Sequence, residues 1–200
     1  MAQIEISAAM VMQLRQETSC GLMECKHALV QAGGDIEMAK QEMKKSGLLK
    51  AEKKVSREAK EGRICGGLAA QRTAGVIVEI NCETDFVARS EGFIEFSDQV
   101  TQLALSSGCA DVAACLKQKM PAGELLEAVR QSLVLKVGEN IQVRRIAQIS
   151  APKGGCVAQY IHGDRLGVLV ALDVDSPDIA KDIAMHIAAF PAEAVKAEQV

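Results

Sequence analysis

An internal repeat constrains the fold of this chain more than any other feature of its sequence. Residues 64–78 and residues 156–170 both show a strand, a turn and a second strand, and the second strands open at Gly75 and Gly167. A helix follows in each copy, with apolar residues one turn apart. These pairs are Phe96 with Val100, and Ile179 with Ile183. The repeat predicts a core of two similar halves, each made of strands and a helix.

The first copy is longer between its second strand and its helix. Gly75 and Phe96 are 21 positions apart, whereas Gly167 and Ile179 are 12 apart, which leaves nine extra residues in the first copy. They fall at Thr84–Val87, which we call the inserted loop. A loop added to a rigid scaffold is more often functional than structural.

The inserted loop contains Asp85 and Phe86, and Phe86 is one of only four phenylalanines in the chain. Both copies need strands and a helix to form a core, but only one copy has the insertion. We interpret Phe86 as a projecting wedge for a protein partner. The alternative is a buried anchor that folds back into its own core.

Composition limits the classes of function. The 200 residues are 48% hydrophobic, enough for a small domain and a larger one. A net charge of −3 and an aromatic content of 2% argue against nucleic-acid binding, which needs basic residues and stacking rings. No apolar run approaches membrane-spanning length and no signal peptide is recognisable, so we expect a soluble, cytoplasmic protein.

The seven cysteines lack short paired spacings and are typical of a reducing compartment. Cys25 and His27 lie two apart on a predicted helix and point to different faces, which disfavours a nucleophile–base pair. The chain has no phosphate-binding glycine loop and no glycine–serine nucleophile elbow. We therefore predict no catalytic residue, no metal ligand and no cofactor.

Three short helices are predicted within the first sixty residues. Ser7 and Asp35 can cap the first and third helices, while Gly33-Gly34 and Gly47 end the second and third. The second covers about 22–32, and the third ends near Lys45. Their size matches a three-helix ubiquitin-associated-like fold. The charged stretch 50–61 is predicted to be a solvated linker helix.

Leu22 and Met23 open the second helix directly after a turn. Neighbouring helix positions differ by about 100 degrees, so both side chains cannot face one narrow core stripe. Arg15, at the far end of the first helix, would lie near them across the turn. These residues form either a docking surface or two core residues beside an ordinary surface arginine.

Several motifs stand in order along the chain: Leu14-Arg15, Thr18, Gly21–Lys26, Gly34–Glu37, Asn81–Ala88, Gly138–Ile141, Arg144-Arg145 and His162-Gly163. Together they resemble the elongation factor Ts family, the guanine nucleotide exchange factors of bacterial elongation factor Tu. The resemblance extends to about Ala189. It implies an α+β fold, with a three-helix partner-binding module at 1–55, a first core half at 56–150 and a second, incomplete half at 151–200.

The resemblance also implies roles for the inserted loop. In the family, residues matching Asp85 and Phe86, within Thr84–Val87, enter the nucleotide-binding domain of elongation factor Tu near its magnesium site. The residue matching Val137 packs close to them. The expected function is release of GDP by disturbing the magnesium and phosphate-loop region of the partner, with no chemistry on a substrate.

The resemblance implies docking residues as well. Those matching Arg15, Leu22, Met23 and Lys26 dock on the same partner domain, and the one matching His162 faces another domain. Leu22 replaces the usual methionine, a volume-conserving exchange. The expected partner is elongation factor Tu, both GDP-bound and nucleotide-free, without direct contact to nucleic acid or membrane. The expected state is a monomer or a weak dimer.

Longer members of the family continue into a helical hairpin and return to complete the second half, whereas this chain stops at Val200. The predicted last helix, 176–189, carries an apolar stripe expected to pack on the strands through Val170. The stripe is Ile179, Ile183 and Ile187. Residues 192–200 are expected to be mobile or covered by a neighbouring chain.

Two other classes of function fit parts of the sequence. A helical protein-binding adaptor without exchange activity would explain residues 1–55 but would give the inserted loop no role. A cysteine-dependent enzyme would require a thiol of low pKa paired with a histidine.

Overall fold

The computed structural model describes residues 6–18, 20–54, 56–190, 192 and 194, with the backbone alone for 47–53. This part of the chain forms eight helices and five strands. The helices are α1 (Ala8–Thr18), α2 (Leu22–Gln31), α3 (Ile36–Lys54), α4 (Asp85–Ala88), α5 (Glu91–Ser107), α6 (Val112–Leu116), α7 (Leu126–Val137) and α8 (Pro177–Ala189). The strands are β1 (Glu61–Leu68), β2 (Ala74–Cys82), β3 (Gln142–Ser150), β4 (Cys156–His162) and β5 (Leu166–Leu172).

The first three helices pack around one cluster of buried apolar side chains, which confirms the predicted helical module. The cluster comprises Val11, Leu14, Cys20, Cys25, Ala28, Leu29, Ala32, Ala39 and Met43. Ser7 Oγ accepts a hydrogen bond from the Met10 amide at 3.3 Å, and Asp35 Oδ1 accepts one from the Met38 amide at 2.8 Å. Both predicted N-caps are therefore present.

Helix α3 is longer than predicted. It passes through Gly47 to Lys54, and β1 begins at Glu61, so the predicted end at Gly47 and the separate linker helix over 50–61 were wrong. Helix α3 contacts α7, and Leu135 of α7 packs against the N-terminal cluster. This packing outweighs the cost of a glycine inside a helix, about 1 kcal/mol relative to alanine.

The first half of the core is a three-stranded antiparallel sheet in the order β1-β2-β3, covered by α5. Cys65 of β1 pairs with Val78 of β2, and Val78 pairs with Ile146 of β3. Alternate residues of β2 point to the helix, as the two-residue period of a strand requires. The buried side chains at this contact are Val76, Val78, Ile80, Phe93, Phe96, Val100 and Ala104.

The second half repeats this plan with two strands, β4 and β5, and helix α8. The strands are antiparallel, with Ala158 opposite Val170. Their buried side chains pack against Ala180 and Ala184 of α8. The predicted α+β fold with two repeated sheet-and-helix halves is confirmed.

The predicted packing of α8 was wrong. Ile179 is 56% exposed and Ile183 is 37% exposed, while Ala180 and Ala184 are completely buried. Of the predicted stripe, Ile187 packs against the second-half cluster. The side chain of alanine lets a helix approach the strands closely, and a rotation of about 100 degrees per residue turns the preceding isoleucines away from them.

The insertion in the first half is smaller than counted. The connection from β2 to α5 covers residues 83–90 and contains α4, whereas the one from β5 to α8 covers 173–176, so the difference is four residues and not nine. The count of nine equated Phe96, which is buried, with Ile179, which is exposed.

The two halves meet where the turn of each hairpin contacts a strand of the other. The Ile64 amide donates to the Asp164 carbonyl at 2.6 Å, and the Val157 amide donates to the Arg72 carbonyl at 2.6 Å. Gly167 permits this approach, because a Cβ atom there would lie 2.8 Å from Cγ2 of Ile64.

The prediction for residues 192–200 falls outside the described residues, apart from Ala192 and Ala194. Among the helices that the structure describes, none has the length and apolar character needed to cross a bilayer.

Candidate protein-binding site

Phe86 lies on the surface of the inserted loop. Its side chain is 83% exposed, the highest value among the large apolar residues that the structure describes. Its neighbours Val87 and Ala88 pack against the first-half core and fix the other side of the short helix α4. The buried-anchor alternative for Phe86 is thus contradicted, since the ring projects away from its own core.

Asp85 begins α4, where a carboxylate interacts favourably with the free amide groups of a helix start. Its carboxylate forms an ion pair with Arg89 at 3.1 Å, and its side chain is 43% exposed. Exposed pairs of this kind contribute about 0–1 kcal/mol. A partner could therefore separate Asp85 from Arg89 at little cost.

A hydrogen-bonded clamp holds the start of the inserted loop. One carboxylate oxygen of Glu139 accepts from the backbone amides of Glu83 and Thr84 at 3.1 and 3.0 Å. The other accepts from the Thr84 hydroxyl at 2.6 Å. Thr84 Oγ1 is also the N-cap of α4, accepting from the Val87 amide at 3.4 Å. A projecting aromatic ring is thus carried on a loop with a fixed base.

Hydrogen bonds of the clamp run in both directions between residues 83–84 and residues 139–140. Glu83 Oε1 accepts from the Asn140 amide at 2.6 Å and lies 3.6 Å from Nη1 of Arg57. Asn140 Nδ2 donates to the Arg57 carbonyl at 2.8 Å, and Lys54 Nζ donates to the Gly138 carbonyl at 2.6 Å. The turn between α7 and β3 therefore contacts both the inserted loop and the segment that follows α3.

Val137 lies at the end of α7, where Gly138 has a left-handed conformation with φ of 81° and donates its amide to the Val134 carbonyl. Glycine adopts this conformation without the steric cost that a Cβ atom imposes. Val137 packs against the same first-half cluster as Val87. The structure therefore places Val87 and Val137, two of the predicted wedge residues, on one core, while Phe86 projects from it.

The predicted docking residues of the N-terminal module are exposed. Leu22 is 45% and Met23 59% exposed, and Arg15 and Lys26 are also on the surface. Cys25 in the same helix is completely buried, whereas Lys26 next to it is exposed. At least one of Leu22 and Met23 was expected to be exposed, and both are. These residues lie on α1 and α2, apart from the elements that carry the inserted loop.

His162 ends β4 in the second half of the core and is exposed. Its Nδ1 atom lies 3.0 Å from the Tyr160 hydroxyl. The turn that follows it is tied to β1 by Arg165, which donates to Glu61 at 2.8 Å. His162 therefore has a defined position on the second half.

Burial makes the thiols of Cys65, Cys82 and Cys115 harder to ionise. Burial, with a smaller effect of Glu139, raises the pKa of Cys82 to about 12, and burial raises the pKa of Cys115 to about 11. The pKa of Cys65 is also raised by burial. A reactive thiol needs the opposite shift. Cys25 is buried while His27 is exposed, so this pair cannot act as nucleophile and base. Within the described ranges, no group of three or more potential metal ligands was found.

Sequence analysis missed the roles of Glu83, Glu139 and Asn140, although all three lie in motifs that carry the resemblance. Glu139 and Thr84 are 55 positions apart, and local patterns carry no information on such a contact. The available signal was the order of residues 138–140, in which a helix-ending glycine precedes two polar residues.

Comparison with known proteins agrees with this architecture. A family model described as Elongation factor TS matches residues 83–200, more than half of the chain. The chain is 48% identical over 186 residues to an elongation factor Ts from Methylococcus capsulatus, covering 93% of this chain and 63% of that protein.

Two further relatives give the same result. The elongation factor Ts of Alcanivorax borkumensis is 48% identical over 96% of this chain and 66% of its own length. That of Xanthomonas campestris pv. campestris is 47% identical over 98% of this chain and 66% of its own length. The chain thus spans slightly less than two thirds of these curated relatives. On these matches, this chain belongs to the elongation factor Ts family of translation elongation factors.

Proposed function

We propose that this chain binds elongation factor Tu in the cytoplasm and promotes the release of GDP from it. The observation that carries the proposal is Phe86, an 83% exposed ring on a loop whose base is fixed by Glu139. An aromatic side chain held rigidly in water can enter a partner with little loss of conformational entropy. Membership of the elongation factor Ts family supplies the partner.

The mechanism is thermodynamic coupling between two ligands of elongation factor Tu. A protein that binds the nucleotide-free partner more tightly than the GDP-bound partner must weaken GDP binding by the same factor. Such a step requires no nucleophile or general base in this chain, in agreement with the raised pKa values of Cys82 and Cys115.

Phe86 and Asp85 have separate roles in this proposal. Phe86 displaces packed side chains beside the region of the partner that holds magnesium. Asp85, once separated from Arg89, competes for local hydrogen bonds and brings negative charge near the metal and the phosphates. Because magnesium bridges phosphate oxygens, disturbing its ligands removes a large part of the retention of GDP. Thr84, Val87 and Val137 support the two residues from the core side.

The docking surfaces supply affinity. Arg15, Leu22, Met23 and Lys26 are exposed on α1 and α2 and are proposed to bind the nucleotide-binding domain of the partner. His162 is proposed to contact another domain. Met and Arg are among the residue types enriched at protein interfaces, and Arg is also enriched among the residues that provide most of the binding energy.

We also propose the division into three units that these roles require. Residues 1–55 form the docking module, 56–150 the core half with the inserted loop, and 151–200 the second half. The chain acts as a monomer or a weak dimer, without a cofactor and without direct contact to nucleic acid.

The proposal is tested with elongation factor Tu loaded with a fluorescent GDP. Release is followed in excess unlabelled GDP, with substoichiometric and then saturating amounts of the full chain. The expected result is accelerated release at both amounts, since an exchange factor turns over. Absence of acceleration at saturating chain, with the fold confirmed by circular dichroism, would contradict it. Binding without acceleration would favour the adaptor function.

A further inference from the structure

Three segments distant in sequence meet at the base of the inserted loop. They are the end of α3 with Lys54 and Arg57, residues 83–84 after β2, and the turn 138–140 between α7 and β3. Seven hydrogen bonds and ion pairs described above connect them, all between 2.6 and 3.6 Å. We call this set the loop clamp. Its central members are Glu83 and Glu139.

We infer that Glu139 is a positioning residue for nucleotide exchange. It holds the inserted loop so that Phe86 projects in one orientation, and it acts through Phe86 without contacting the nucleotide. The inference rests on the proposed function, and it assigns a role in that function to a side chain remote in sequence from the loop.

The geometry makes Glu139 suited to this role. Its two carboxylate oxygens accept from two backbone amides and one hydroxyl. Bonds to an ionised acceptor are about twice as strong as neutral ones. In glutamine one of the two oxygens is replaced by an NH2 group, so the bond from the Thr84 hydroxyl is lost or reversed, and the charge that strengthens the bonds from the two amides is removed. The change Glu139→Gln therefore weakens the clamp at almost constant volume.

The clamp also explains why a loop of four residues can carry an exposed phenylalanine reproducibly. A loop free to reorient would present Phe86 correctly for only a fraction of the time, and the apparent coupling to the partner would fall with that fraction. Docking through α1 and α2 does not depend on the orientation of Phe86. Loss of the clamp should thus lower the exchange rate at saturation and leave affinity nearly constant.

The reciprocal bonds extend the same logic to Glu83. Its carboxylate accepts from the Asn140 amide and lies beside Arg57. Arg57 follows α3, and Lys54 is the last residue of that helix. Because α3 packs with α1 and α2, these contacts fix the position of the inserted loop relative to the docking surface.

The main experiment compares the full chain with Glu139→Gln in release of fluorescent GDP from elongation factor Tu over a range of chain concentrations. We expect the saturating rate to fall about tenfold, within the usual range of coupling between sites, and the half-saturating concentration to change less than about twofold. The matched control is Glu95→Gln, the same exchange on the exposed side of α5, where Glu95 accepts from Gln99. The control should release GDP like the unaltered chain.

A double-mutant cycle separates positioning from a general structural effect. If Glu139 acts through Phe86, then Phe86→Ala combined with Glu139→Gln should be no slower than Phe86→Ala alone. Multiplying losses would show that Glu139 acts independently of Phe86 and would overturn the inference. An unchanged saturating rate for Glu139→Gln would overturn it equally.

Amide hydrogen exchange gives a readout that does not need the partner. In Glu139→Gln the amides of Glu83 and Thr84 should lose protection, while those in the centre of β2 keep it. Unchanged protection at both amides would contradict the clamp itself. If Glu139→Gln fails to fold, Glu139→Asp replaces it in all three measurements, because it draws the carboxylate back by one methylene from the Glu83 and Thr84 amides.

The two proposals fail in different ways. If the unaltered chain does not accelerate release, the proposed function is wrong, and the role of Glu139 in exchange falls with it. If the unaltered chain is active and Glu139→Gln is equally active, only the positioning role is wrong.

Discussion

The two halves of the core have the same plan but differ in what they bury and what they expose. The first half packs Phe93, Phe96 and Val100 against its sheet, and it exposes one ring, Phe86, on a clamped loop. The second half packs Ala180 and Ala184 against two strands and exposes Ile179 and Ile183 along a helix.

The difference shows two kinds of exposed apolar surface. In the first half a dense core and a hydrogen-bonded clamp hold a single projecting residue, as a wedge requires. In the second half the exposed isoleucines belong to a regular helix whose smallest residues make the core contact. We therefore assign the exchange step to the first half and expect the second half to contribute affinity alone.

The largest expected effect tests the difference in core packing. Phe93→Ala should destabilise the chain by about 3–5 kcal/mol, because it removes a completely buried ring. Val170→Ala in the second half should cost about 1.6 kcal/mol, from two buried carbons at about 0.8 kcal/mol each. Urea unfolding of both variants measures the two losses. A loss of stability for Val170→Ala equal to or larger than that for Phe93→Ala would contradict the claim that the first half has the denser core.

The next effect concerns affinity for elongation factor Tu. Arg15→Ala and Met23→Ala should each weaken the complex by about 1–3 kcal/mol, the usual cost of truncating an interface anchor. His162→Ala should cost less, below about 1 kcal/mol, since we propose that it contacts the partner from the second half. Titration calorimetry with the nucleotide-free partner measures all three. Normal binding combined with slow exchange at saturation for Arg15→Ala or Met23→Ala would refute the division between docking and wedge.

A pH effect should also trace to the first half, where Cys82 and Cys115 have pKa values of about 12 and about 11. In the unfolded chain a thiol has a pKa of about 8.5, so the folded state holds these protons more tightly. Their contribution to stability is fully present below about pH 8.5 and is lost as pH rises toward the folded values. Between about pH 8.5 and the folded pKa, each thiol should lower the free energy of unfolding by about 1.4 kcal/mol per pH unit.

Urea unfolding of the chain and of Cys82→Ala at pH 8 and pH 10 measures this slope. The variant should lose less stability between the two pH values, whatever its stability at pH 8. An identical loss in both proteins would show that Cys82 does not titrate as its surroundings require.

The smallest expected effect concerns the exposed face of α8. Ile179→Ala should change the free energy of unfolding by less than about 0.5 kcal/mol, as is usual for surface positions. Ala180→Val, one position along, should destabilise the chain by about 1–3 kcal/mol through overpacking. Thermal unfolding of the two variants compares them directly. A larger loss of stability for Ile179→Ala than for Ala180→Val would indicate that the isoleucines pack in the core.

Much of this fold could be predicted from local patterns. The repeated hairpins, the caps at Ser7 and Asp35, and the exposure of at least one of Leu22 and Met23 follow from residue types at fixed spacing. The face that α8 turns to the strands could not be predicted in this way. Ile179 and Ala180 are neighbours, and a pattern of apolar residues favours burial of the larger side chain. The bonds of Glu139 to Thr84 join segments far apart in sequence, and only the folded chain brings them together.

The most direct test of the account is Phe86→Ala, examined for both stability and exchange. Because the ring is exposed, the free energy of unfolding should change by no more than about 0.5 kcal/mol, as is usual for a surface substitution, and the melting temperature should change little. The saturating rate of GDP release from elongation factor Tu should fall by about tenfold or more. A buried ring would instead cost about 3–5 kcal/mol of stability. A large drop in melting temperature, or an unchanged saturating rate, would contradict the role assigned to Phe86.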